Sequence, residues 1–259
     1  MNIIDKAISI LAPGRALQRE QSRQALEVIQ SHGQRRYDAA AVGRRTQNWP
    51  GARGSINTEM AFDLNRLRAR SRDLVQNNSY AARAIQVIQN NGVGSGIVLA
   101  PDANAQTTEK KILDNWRAWA ESLDIDFDGR HNFYGIQSLA LRTVAESGEC
   151  IIRRRRRNSN GGKLPIQLQV CEPDFIDTNR NFQAYGTNQE HIIHGVHFDT
   201  NGRRIGYWLF DRNPYDYYQA RSKFVPIEDV IHLYRIDRPG QVRGIPWGAS
   251  AMMKLKDYD

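Results

Sequence analysis

Residues 229–247 read Asp229-Val-Ile-His-Leu-Tyr-Arg-Ile-Asp-Arg-Pro-Gly-Gln-Val-Arg-Gly-Ile-Pro-Trp247, and this stretch sets the expectation for the fold. Its first part is rich in β-branched and aromatic residues, which predicts a strand. Pro239-Gly240 supplies the fixed φ and the positive φ of a type II turn. Pro246 has the backbone angle of a first helical position, and apolar residues continue at helical spacing as far as Tyr258. The stretch therefore predicts a strand, a tight turn and the start of a helix.

The loop of this stretch carries two arginines and two glycines, and glycine allows the backbone to approach another group closely. A phosphate cradle is one interpretation, but the lysine and hydroxyl of a nucleotide-binding loop are missing. We therefore predict a structural hinge, and we expect substitution of its proline or its first glycine to damage folding or assembly. The predicted hinge residues are Pro239, Gly240, Arg243, Gly244 and Pro246.

The composition of the chain limits its class. Its 259 residues include 36 Lys+Arg and 28 Asp+Glu, which gives a net charge of +8. This balance suits a polyanionic partner such as nucleic acid, although ribosomal and membrane-surface proteins share it. Cys150 and Cys171 form no C-x-x-C motif, so neither a disulfide framework nor a zinc site is expected, and a reducing, cytoplasmic environment fits.

The apolar start of the chain, Asn2–Leu11, is too short to span a membrane, and no later segment is predicted to span one.

Residues 1–55 are predicted to form two amphipathic helical pieces followed by a basic extended arm. The composition of the arm shifts to Gly, Arg, Asn and Pro, and its arginines include Arg35, Arg36, Arg44 and Arg45. Three roles stay open for such an arm: it wraps a neighbouring subunit, it is a solvated linker, or it contacts nucleic acid.

Residues 56–148 are predicted to be helical. The strongest periodicity runs from Glu59 to Asn91, with the apolar side chains on one face. Ser79 is the expected N-cap of a second helix, and Gly92 is expected to end it in the left-handed conformation. The arginines expected to point away from the apolar face are Arg66, Arg68, Arg70 and Arg72.

A short strand is predicted over Ile97–Leu99, and two further helices follow it. Thr107 and Asn132 are their expected N-caps. Between these helices, Asp124, Asp126 and Asp128 with Gly129 match the first half of a calcium-binding loop. Gly135 stands where the bidentate glutamate should be, so we favour an acidic turn whose aspartates accept backbone hydrogen bonds, with a weak ion site as the other possibility.

Residues 149–245 are predicted to form antiparallel hairpins. The first hairpin should have one buried face, and the second should run from His191 to Phe210 with its turn at Asp199–Gly202. The end of the first hairpin is either solvated or an electropositive rim that attracts phosphate. Its arginines are Arg153, Arg154, Arg155, Arg156 and Arg157.

The sequence carries no recognisable active site, and no nucleotide-binding, serine-hydrolase or zinc-protease motif is present. His191, His194 and His197 have a spacing that suggests a metal site, but on one strand His194 would point away from the other two. We therefore predict an α+β fold, a helical layer followed by a mostly antiparallel sheet of hairpins, with residues 246–259 as the start of a helix, no cofactor and no enzymatic activity.

The order of several short motifs resembles the portal proteins of lambda-type tailed phages. Each motif is weak alone, but their order and spacing from about Arg35 to the last residue are specific. The motifs include Arg36-Tyr-Asp-Ala-Ala40, Gly43-Arg-Arg45, Leu67-Arg-Ala-Arg-Ser-Arg-Asp-Leu-Val75, Val93-Gly-Ser-Gly-Ile97, Gly148-Glu149, Asp229-Val-Ile-His232 and Arg238-Pro-Gly-Gln-Val-Arg-Gly-Ile-Pro-Trp247.

This resemblance implies a subunit of a homo-oligomeric ring, usually of twelve copies, at one vertex of the capsid in the virion. Double-stranded DNA passes through such a ring without sequence-specific contact, driven by a separate terminase motor, during packaging and ejection. The ring also joins the head to the tail, and its partners include capsid, scaffold and head–tail joining proteins in the host cytoplasm during assembly. The family's chains are about twice this long, so the sequence resembles the N-terminal half, mostly the part called the wing, and the final helix should lead toward the stem.

The alternative is a metal-dependent enzyme that processes nucleic acid. In that case Asp124, Asp126 and Asp128 would hold Mg²⁺ or Ca²⁺. The arginines of the arm and of the first hairpin would be DNA or assembly contacts in the portal interpretation.

Overall fold

The computed structural model describes residues 54–258 apart from 103–105, 157–163, 183–188 and 217–220, together with residues 14, 21–23 and 26. The chain divides into two compact units, Met1–Arg53 and Gly54–Asp259. The description below concerns the second unit. The predictions for the N-terminal helical pieces and the basic arm fall almost entirely outside the described residues.

Five α-helices and seven strands make up this unit, within the described ranges. The helices are α1 (Ile56–Asn77), α2 (Ser79–Gly92), α3 (Gln106–Ala120), α4 (Phe133–Ser147) and α5 (Met252–Asp257). The strands are β1 (Glu149–Arg156), β2 (Ile166–Cys171), β3 (His191–Ile193), β4 (Val196–Phe198), β5 (Arg204–Phe210), β6 (Ser222–Pro226) and β7 (Val230–Tyr234). All pairings between these strands are antiparallel, so the predicted α+β class with helices before hairpins is confirmed.

The strands form two sheets. A three-stranded sheet has the order β2-β1-β7, and a four-stranded sheet has the order β3-β4-β5-β6. The strand of the 229–247 stretch is thus β7. It pairs with β1, the strand that directly follows α4, although more than 70 residues separate the two strands in the sequence. A non-local pairing of this kind closes the fold.

The three-stranded sheet is the middle layer of the unit. On one face, Cys150 and Ile152 pack with Ala140 and Val144 of α4. On the other face, Ile151 packs with residues of the second sheet in the largest apolar cluster. Because β1 is covered on both faces, its apolar residues run consecutively instead of alternating. The prediction of a first hairpin with a single buried face was therefore wrong.

A separate apolar cluster joins the helices. It brings together Leu74 and Val75 of α1, Ala81 and Ile85 of α2, Ala145 of α4, and Met252 of α5. Burial of apolar area is the main stabilising term for such packing, at roughly 25 cal/mol per Å² removed from water. The helical layer is thus held together by apolar contacts between its own helices.

The caps of the helices differ partly from expectation. Asn132 caps α4 as predicted, with its side chain accepting from the Gly135 amide at 2.9 Å. At α2 the cap is Asn78 and not Ser79, since the Asn78 side chain accepts from the Ala81 amide at 3.0 Å. Thr107 lies inside the first turn of α3, which begins at Gln106. The side-chain oxygen of Asn78, one residue earlier, thus caps the helix in place of the Ser79 hydroxyl.

The segment after α2 is not a strand. Gly92 remains helical, and Gly94 takes the left-handed conformation with φ 57°. Residues 96–100 join no sheet. The Gln137 side chain instead bonds to both backbone groups of Ile97, accepting from its amide at 2.7 Å and donating to its carbonyl at 3.0 Å. The short strand predicted from the β-prone sequence Ile97–Leu99 is therefore absent.

The second predicted hairpin is a three-stranded meander followed by an unpredicted fourth strand, β6. A tight turn at His194–Gly195 separates β3 from β4, and His194 has a positive φ of 48°. Residues 191–198 were expected to be continuous because no strong turn signal precedes Gly195. The predicted turn at Asp199–Gly202 is present, with the Gly202 amide bonded to the Asp199 carbonyl.

The helix expected at Pro246 begins later. Residues 247–251 form successive turns, and α5 starts at Met252. Trp247 packs beneath these turns, whereas Tyr258 is 82% exposed and so does not share a buried face with it. Pro246 accordingly begins a series of turns and not a regular helix.

Candidate functional site: a buried arginine–glutamate junction

Glu149, the first residue of β1, lies at the centre of a fully buried charged cluster. Its side chain is 0% exposed. One carboxylate oxygen accepts from Arg243 at 2.8 Å and 2.6 Å and also from Arg68. The other oxygen accepts from the Gly244 amide at 2.7 Å and lies 2.9 Å from Nε2 of His232. We call these residues, Arg68, Glu149, His232, Arg243 and Gly244, the junction.

Arg243 extends the junction to the second sheet. Its side chain is 0% exposed, and it donates to the carbonyl of His194 at 2.8 Å and to that of Pro173 at 3.2 Å. The planar guanidinium has five donors in a fixed arrangement, which suits simultaneous bonding to a carboxylate and to carbonyl groups. Arg243 therefore fixes the loop of residues 237–246, which we call the hinge loop, both to β1 and to the β3–β4 turn.

Arg68 connects α1 to the same carboxylate, and sequence reasoning placed it incorrectly. It was expected on the solvent side of the helix, yet its side chain is 2% exposed. The buried positions of α1 run Met60, Leu64, Arg68, Ser71 and Val75, so Arg68 lies in the apolar stripe at helical spacing. That spacing, together with a lone glutamate before the apolar run Cys150–Ile152, was the signal that could have identified the pair.

The pKa values of the junction follow from burial and from the neighbouring charges. Burial alone would raise the pKa of Glu149, but the charges of Arg243 and Arg68 and the hydrogen bond from His232 hold it well below its usual range. Burial lowers the pKa of Arg68 to about 10, with the charge of Glu149 opposing that shift. Burial also lowers the pKa of His232, despite the adjacent carboxylate. The junction thus contains an ionised glutamate, two arginines and a neutral histidine near pH 7.

The hinge loop itself is ordered by hydrogen bonds. The Gln241 amide bonds to the Arg238 carbonyl at 3.2 Å, and Gly240 has φ 78°, as a type II turn requires. The Gln241 side chain accepts from the Asp237 amide at 2.8 Å and donates to the Arg243 carbonyl at 2.8 Å. The Asn57 side chain of α1 accepts from the Val242 amide at 3.0 Å. The predicted turn is present, and the side chains of Gln241 and Asn57 bond to the backbone groups beside it.

Two glycines let the hinge loop cross the start of β1. A Cβ atom on Gly244 would lie 2.1 Å from the Gly148 carbonyl oxygen, and one on Gly148 would lie 2.5 Å from the backbone of Ile245. Gly148 also has φ 92° and ends α4. The group that Gly244 approaches closely is therefore the protein's own backbone.

The acidic turn uses the carboxylate of Asp126 to accept hydrogen bonds from backbone amides. The Asp126 side chain accepts from the amides of Asp128, Arg130 and His131, the last two at 3.0 Å and 2.9 Å. These bonds lower the pKa of Asp126 although burial opposes them. Asp124 contributes its carbonyl to Gln167. In the part of the chain that is described, no group of three His, Cys, Asp or Glu side chains is arranged to hold a metal ion.

The arginines of the first hairpin are mostly engaged within the chain. Arg153 pairs with Asp211 at 3.3 Å, and Arg154 pairs with Asp229 at 2.8 Å. Arg155 donates to Gln169 at 2.9 Å, whereas Arg156 is exposed at the end of β1. Arg157 and the arm residues Arg35, Arg36, Arg44 and Arg45 lie outside the described residues.

The three histidines do not share a strand face in the way the sequence suggested. His191 pairs with Phe198 and stacks on its ring at 5.0 Å, while His197 pairs with Ile192. Because cross-strand partners share a face and successive residues alternate, His191 and His197 lie on opposite faces. Their separation arises from the unpredicted turn between β3 and β4.

None of the described helices is both long enough and apolar enough to cross a membrane. Helices packed on two antiparallel sheets, with buried charged residues between them, define an α+β fold. A sequence model described as "Phage portal protein, lambda family" matches residues 42–259. The chain therefore belongs to the lambda family of phage portal proteins, which is a family of structural proteins.

Individual relatives agree with this assignment. The chain is 26% identical over 240 residues to a probable portal protein of Halomonas phage phiHAP-1, covering 86% of this chain and 46% of the relative. It is 23% identical over 238 residues to portal protein B of Escherichia phage lambda, covering 85% and 44%. A portal protein of Escherichia phage N15 is 23% identical over 241 residues, covering 84% and 44%. The chain thus spans a little under half the length of the relatives it matches.

Proposed function

We propose that this chain forms part of a portal subunit that assembles into a closed ring at a capsid vertex. In this proposal double-stranded DNA passes through the ring during packaging and ejection, driven by a separate terminase motor. The ring has about twelve copies, and identical copies related by rotation use the same two surfaces at every contact. The observation that carries the proposal is the family match over residues 42–259.

The proposed subunit is a structural component of the ring and catalyses no reaction. It assembles in the host cytoplasm with capsid and scaffold proteins, is a component of the virion, and later meets the head–tail joining proteins. The junction supports this role because it fixes α1, β1, β7 and the β3–β4 turn around one carboxylate. A subunit braced in this way keeps its shape under load, and close packing transmits strain with little compression.

The proposed DNA or assembly contacts are basic and independent of sequence. Arg156 is the exposed member of the hairpin arginines that are described, and Arg157 with the arm arginines Arg35, Arg36, Arg44 and Arg45 completes the set. Contacts to phosphate release counterions, so binding that uses them weakens steeply as salt increases. The arginines with partners inside the chain, Arg153, Arg154 and Arg155, are expected to contribute less.

Electron microscopy and native mass spectrometry of the complete subunit test the proposal. We expect closed rings of about a dozen copies, and we expect these rings to be incorporated when capsid proteins are present. A subunit that stays monomeric under capsid-assembly conditions would contradict the proposed function. For the basic contacts, replacing Arg156 and Arg157 with Gln should lower the salt dependence of DNA binding, whereas replacing Arg154, which is paired with Asp229, should change it less.

A further inference from the structure

The strand β7 has few apolar contacts with the rest of the chain. Of its five residues, only Val230 belongs to an apolar core cluster. Ile231 is 52% exposed and Leu233 is 37% exposed, so the face of β7 that carries them is largely open. The opposite face carries the rings of His232 and Tyr234, whose centroids lie 4.4 Å apart. Besides its strand pairing with β1, polar contacts are therefore the main attachment of β7.

These polar contacts converge on Glu149 of β1. Nε2 of His232 lies 2.9 Å from one carboxylate oxygen, and the Gly244 amide of the hinge loop donates to the same oxygen at 2.7 Å. The Tyr234 hydroxyl donates to the Gln241 carbonyl at 3.0 Å, which joins β7 directly to the hinge loop. The strand and the hinge loop are therefore attached to each other and share Glu149 as an anchor.

The surroundings of the His232 ring fit its neutral form. Because the Glu149 carboxylate accepts from the ring, Nε2 carries the proton and Nδ1 carries none. Nδ1 is buried and has no hydrogen-bond partner among the described residues, and the Tyr207 ring lies edge-on at 5.4 Å. A second proton on Nδ1 would create a buried donor without an acceptor, which destabilises the closed arrangement.

The charges around His232 also oppose a second proton. Glu149 already accepts from two buried arginines of the junction. Burial is the main cause of the lowered pKa of His232, Arg243 and Arg204 lower it further, and Glu149 opposes the shift. The titratable and charged groups that face the ring are Glu149 from β1, Arg243 from the hinge loop, Arg204 and Tyr207 from β5, and Tyr234 from β7 itself. Acid therefore favours a state in which the ring has left this site.

We propose that His232 is a proton-controlled latch, whose neutral ring holds β7 and the hinge loop against β1 and whose protonated ring releases both segments together. The helical layer has its own apolar cluster, so we expect it to stay closed when the latch opens. Every group in the latch lies within one chain. The latch is therefore independent of the proposed ring, and it adds a conformational change to the proposed structural role.

Hydrogen exchange of the wild-type chain at two pH values tests the latch. After correction for the intrinsic exchange rate, we expect the opening equilibrium of residues 230–246 to increase about tenfold from about pH 7.5 to about pH 5.5. The increase follows because a histidine outside the site binds its proton near about pH 6.5. Amides of α2 and α4 should keep their protection over the same range. An equal loss of protection in every element, or no loss in residues 230–246, would overturn the latch.

Two histidine variants identify the group that binds the proton. His232→Gln keeps a donor for Glu149 but cannot be protonated, so residues 230–246 should lose their response to pH. His197→Gln is the matched control, because successive strand residues alternate and its neighbours Val196 and Phe198 face the core. The response to pH should remain in this control. A response that persists in His232→Gln, or one that disappears in His197→Gln, contradicts the proposal.

Nuclear magnetic resonance of the wild-type chain decides the same point if His232→Gln fails to fold. The His232 ring should gain its second proton over the pH range in which residues 230–246 lose their protection. A ring that becomes protonated while those residues stay protected would overturn the latch.

Discussion

At the scale of single residues, the hinge loop contains two arginines with opposite environments. Arg243 is fully buried and bonded to Glu149, whereas Arg238 pairs with Glu59 at 2.8 Å where their side chains are 42% and 36% exposed. Removing one partner of a buried pair leaves an uncompensated charge, while a surface pair contributes little. The same residue type in one loop therefore has two different structural roles.

We predict that Arg243→Met lowers the free energy of unfolding by about 3–5 kcal/mol. Arg238→Met, the matched control, should lower it by less than about 1 kcal/mol. Urea unfolding followed by circular dichroism measures both differences. Equal effects of the two substitutions would show that Glu149 is solvated in the folded chain and that the junction is not a buried charge cluster.

His232 makes the stability depend on pH. Its folded pKa is lowered by burial, so the folded state resists protonation more than the unfolded state does. The contribution of His232 to the free energy of unfolding is then complete above its unfolded pKa of about 6.5. This contribution decreases as the pH falls from that value toward the lower pKa of the folded state. Glu149 adds a second decrease at lower pH, because its folded pKa lies well below the ordinary 4.5. Arg204, Arg243 and the Tyr207 and Tyr234 rings face the histidine as well.

We predict that His232→Gln, which keeps a donor for Glu149, removes the decrease in stability that begins near pH 6.5. The decrease below about pH 4.5 should remain, because it belongs to Glu149 and other carboxylates. Unfolding free energies measured at several pH values between 8 and 4 give both segments. A variant whose profile coincides with that of the wild type would assign the upper segment to another histidine.

At the scale of elements, the crossing of the hinge loop over β1 depends on the absence of two side chains. Gly244 has no room for a Cβ atom, since the nearest atoms are the Gly148 carbonyl oxygen at 2.1 Å and carbon at 2.7 Å. Backbone cannot move aside as the end of a flexible side chain can. Gly240 differs, because space around it is open and only its φ of 78° restricts substitution.

We predict that Gly244→Ala separates the loop from β1 and destabilises the chain by more than about 3 kcal/mol, since it also disturbs a buried charge pair. Gly240→Val should have a smaller effect, about 1–2 kcal/mol, from the left-handed backbone alone. Gly248→Ala is the control, because nothing lies within 4 Å of its added Cβ. Thermal unfolding of the three variants should follow this order, and a neutral Gly244→Ala would contradict the close crossing.

The cap of α2 gives a second prediction at this scale. Asn78 is buried, caps the helix and donates to the Leu255 carbonyl of α5 at 3.3 Å. Asn78→Ala should therefore lower the unfolding free energy by about 1–2 kcal/mol. The neighbouring Asn77, exposed in the last turn of α1, provides the control, and Asn77→Ala should change stability by less than about 0.5 kcal/mol. Chemical denaturation of both variants measures the difference.

At the scale of the whole molecule, the junction adds a charged contact between layers that also meet through the apolar cluster of α4 and β1. The helix cluster and the two-sheet cluster have no residue in common, and Glu149 is bonded to α1, to β7 and to the hinge loop. Elements that share such a buried contact tend to open together in cooperative units. We therefore expect the elements bonded to Glu149 to open together.

We predict that amides of α1, β1 and β7 exchange with solvent together in the wild type, and that the same Arg243→Met substitution makes α1 exchange faster than β1. Hydrogen exchange followed by mass spectrometry resolves the three elements. If α1 and β1 remain equally protected in the variant, apolar packing alone couples the layers.

The sequence by itself determined the family, the order of helices before strands, the type II turn at Pro239-Gly240 and the cap at Asn132. These features depend on local periodicity, on backbone angles fixed by Pro and Gly, or on motif order, all of which are readable along the chain. The tertiary structure decided the burial of Arg68, the pairing of β7 with β1, the loss of the predicted strand at Ile97–Leu99, and the exposed face of β7. Each of these features depends on which distant element lies opposite a residue. A charged side chain is stable in the core only when it is paired there, and Glu149, the partner of Arg68, lies more than 80 positions away in the sequence.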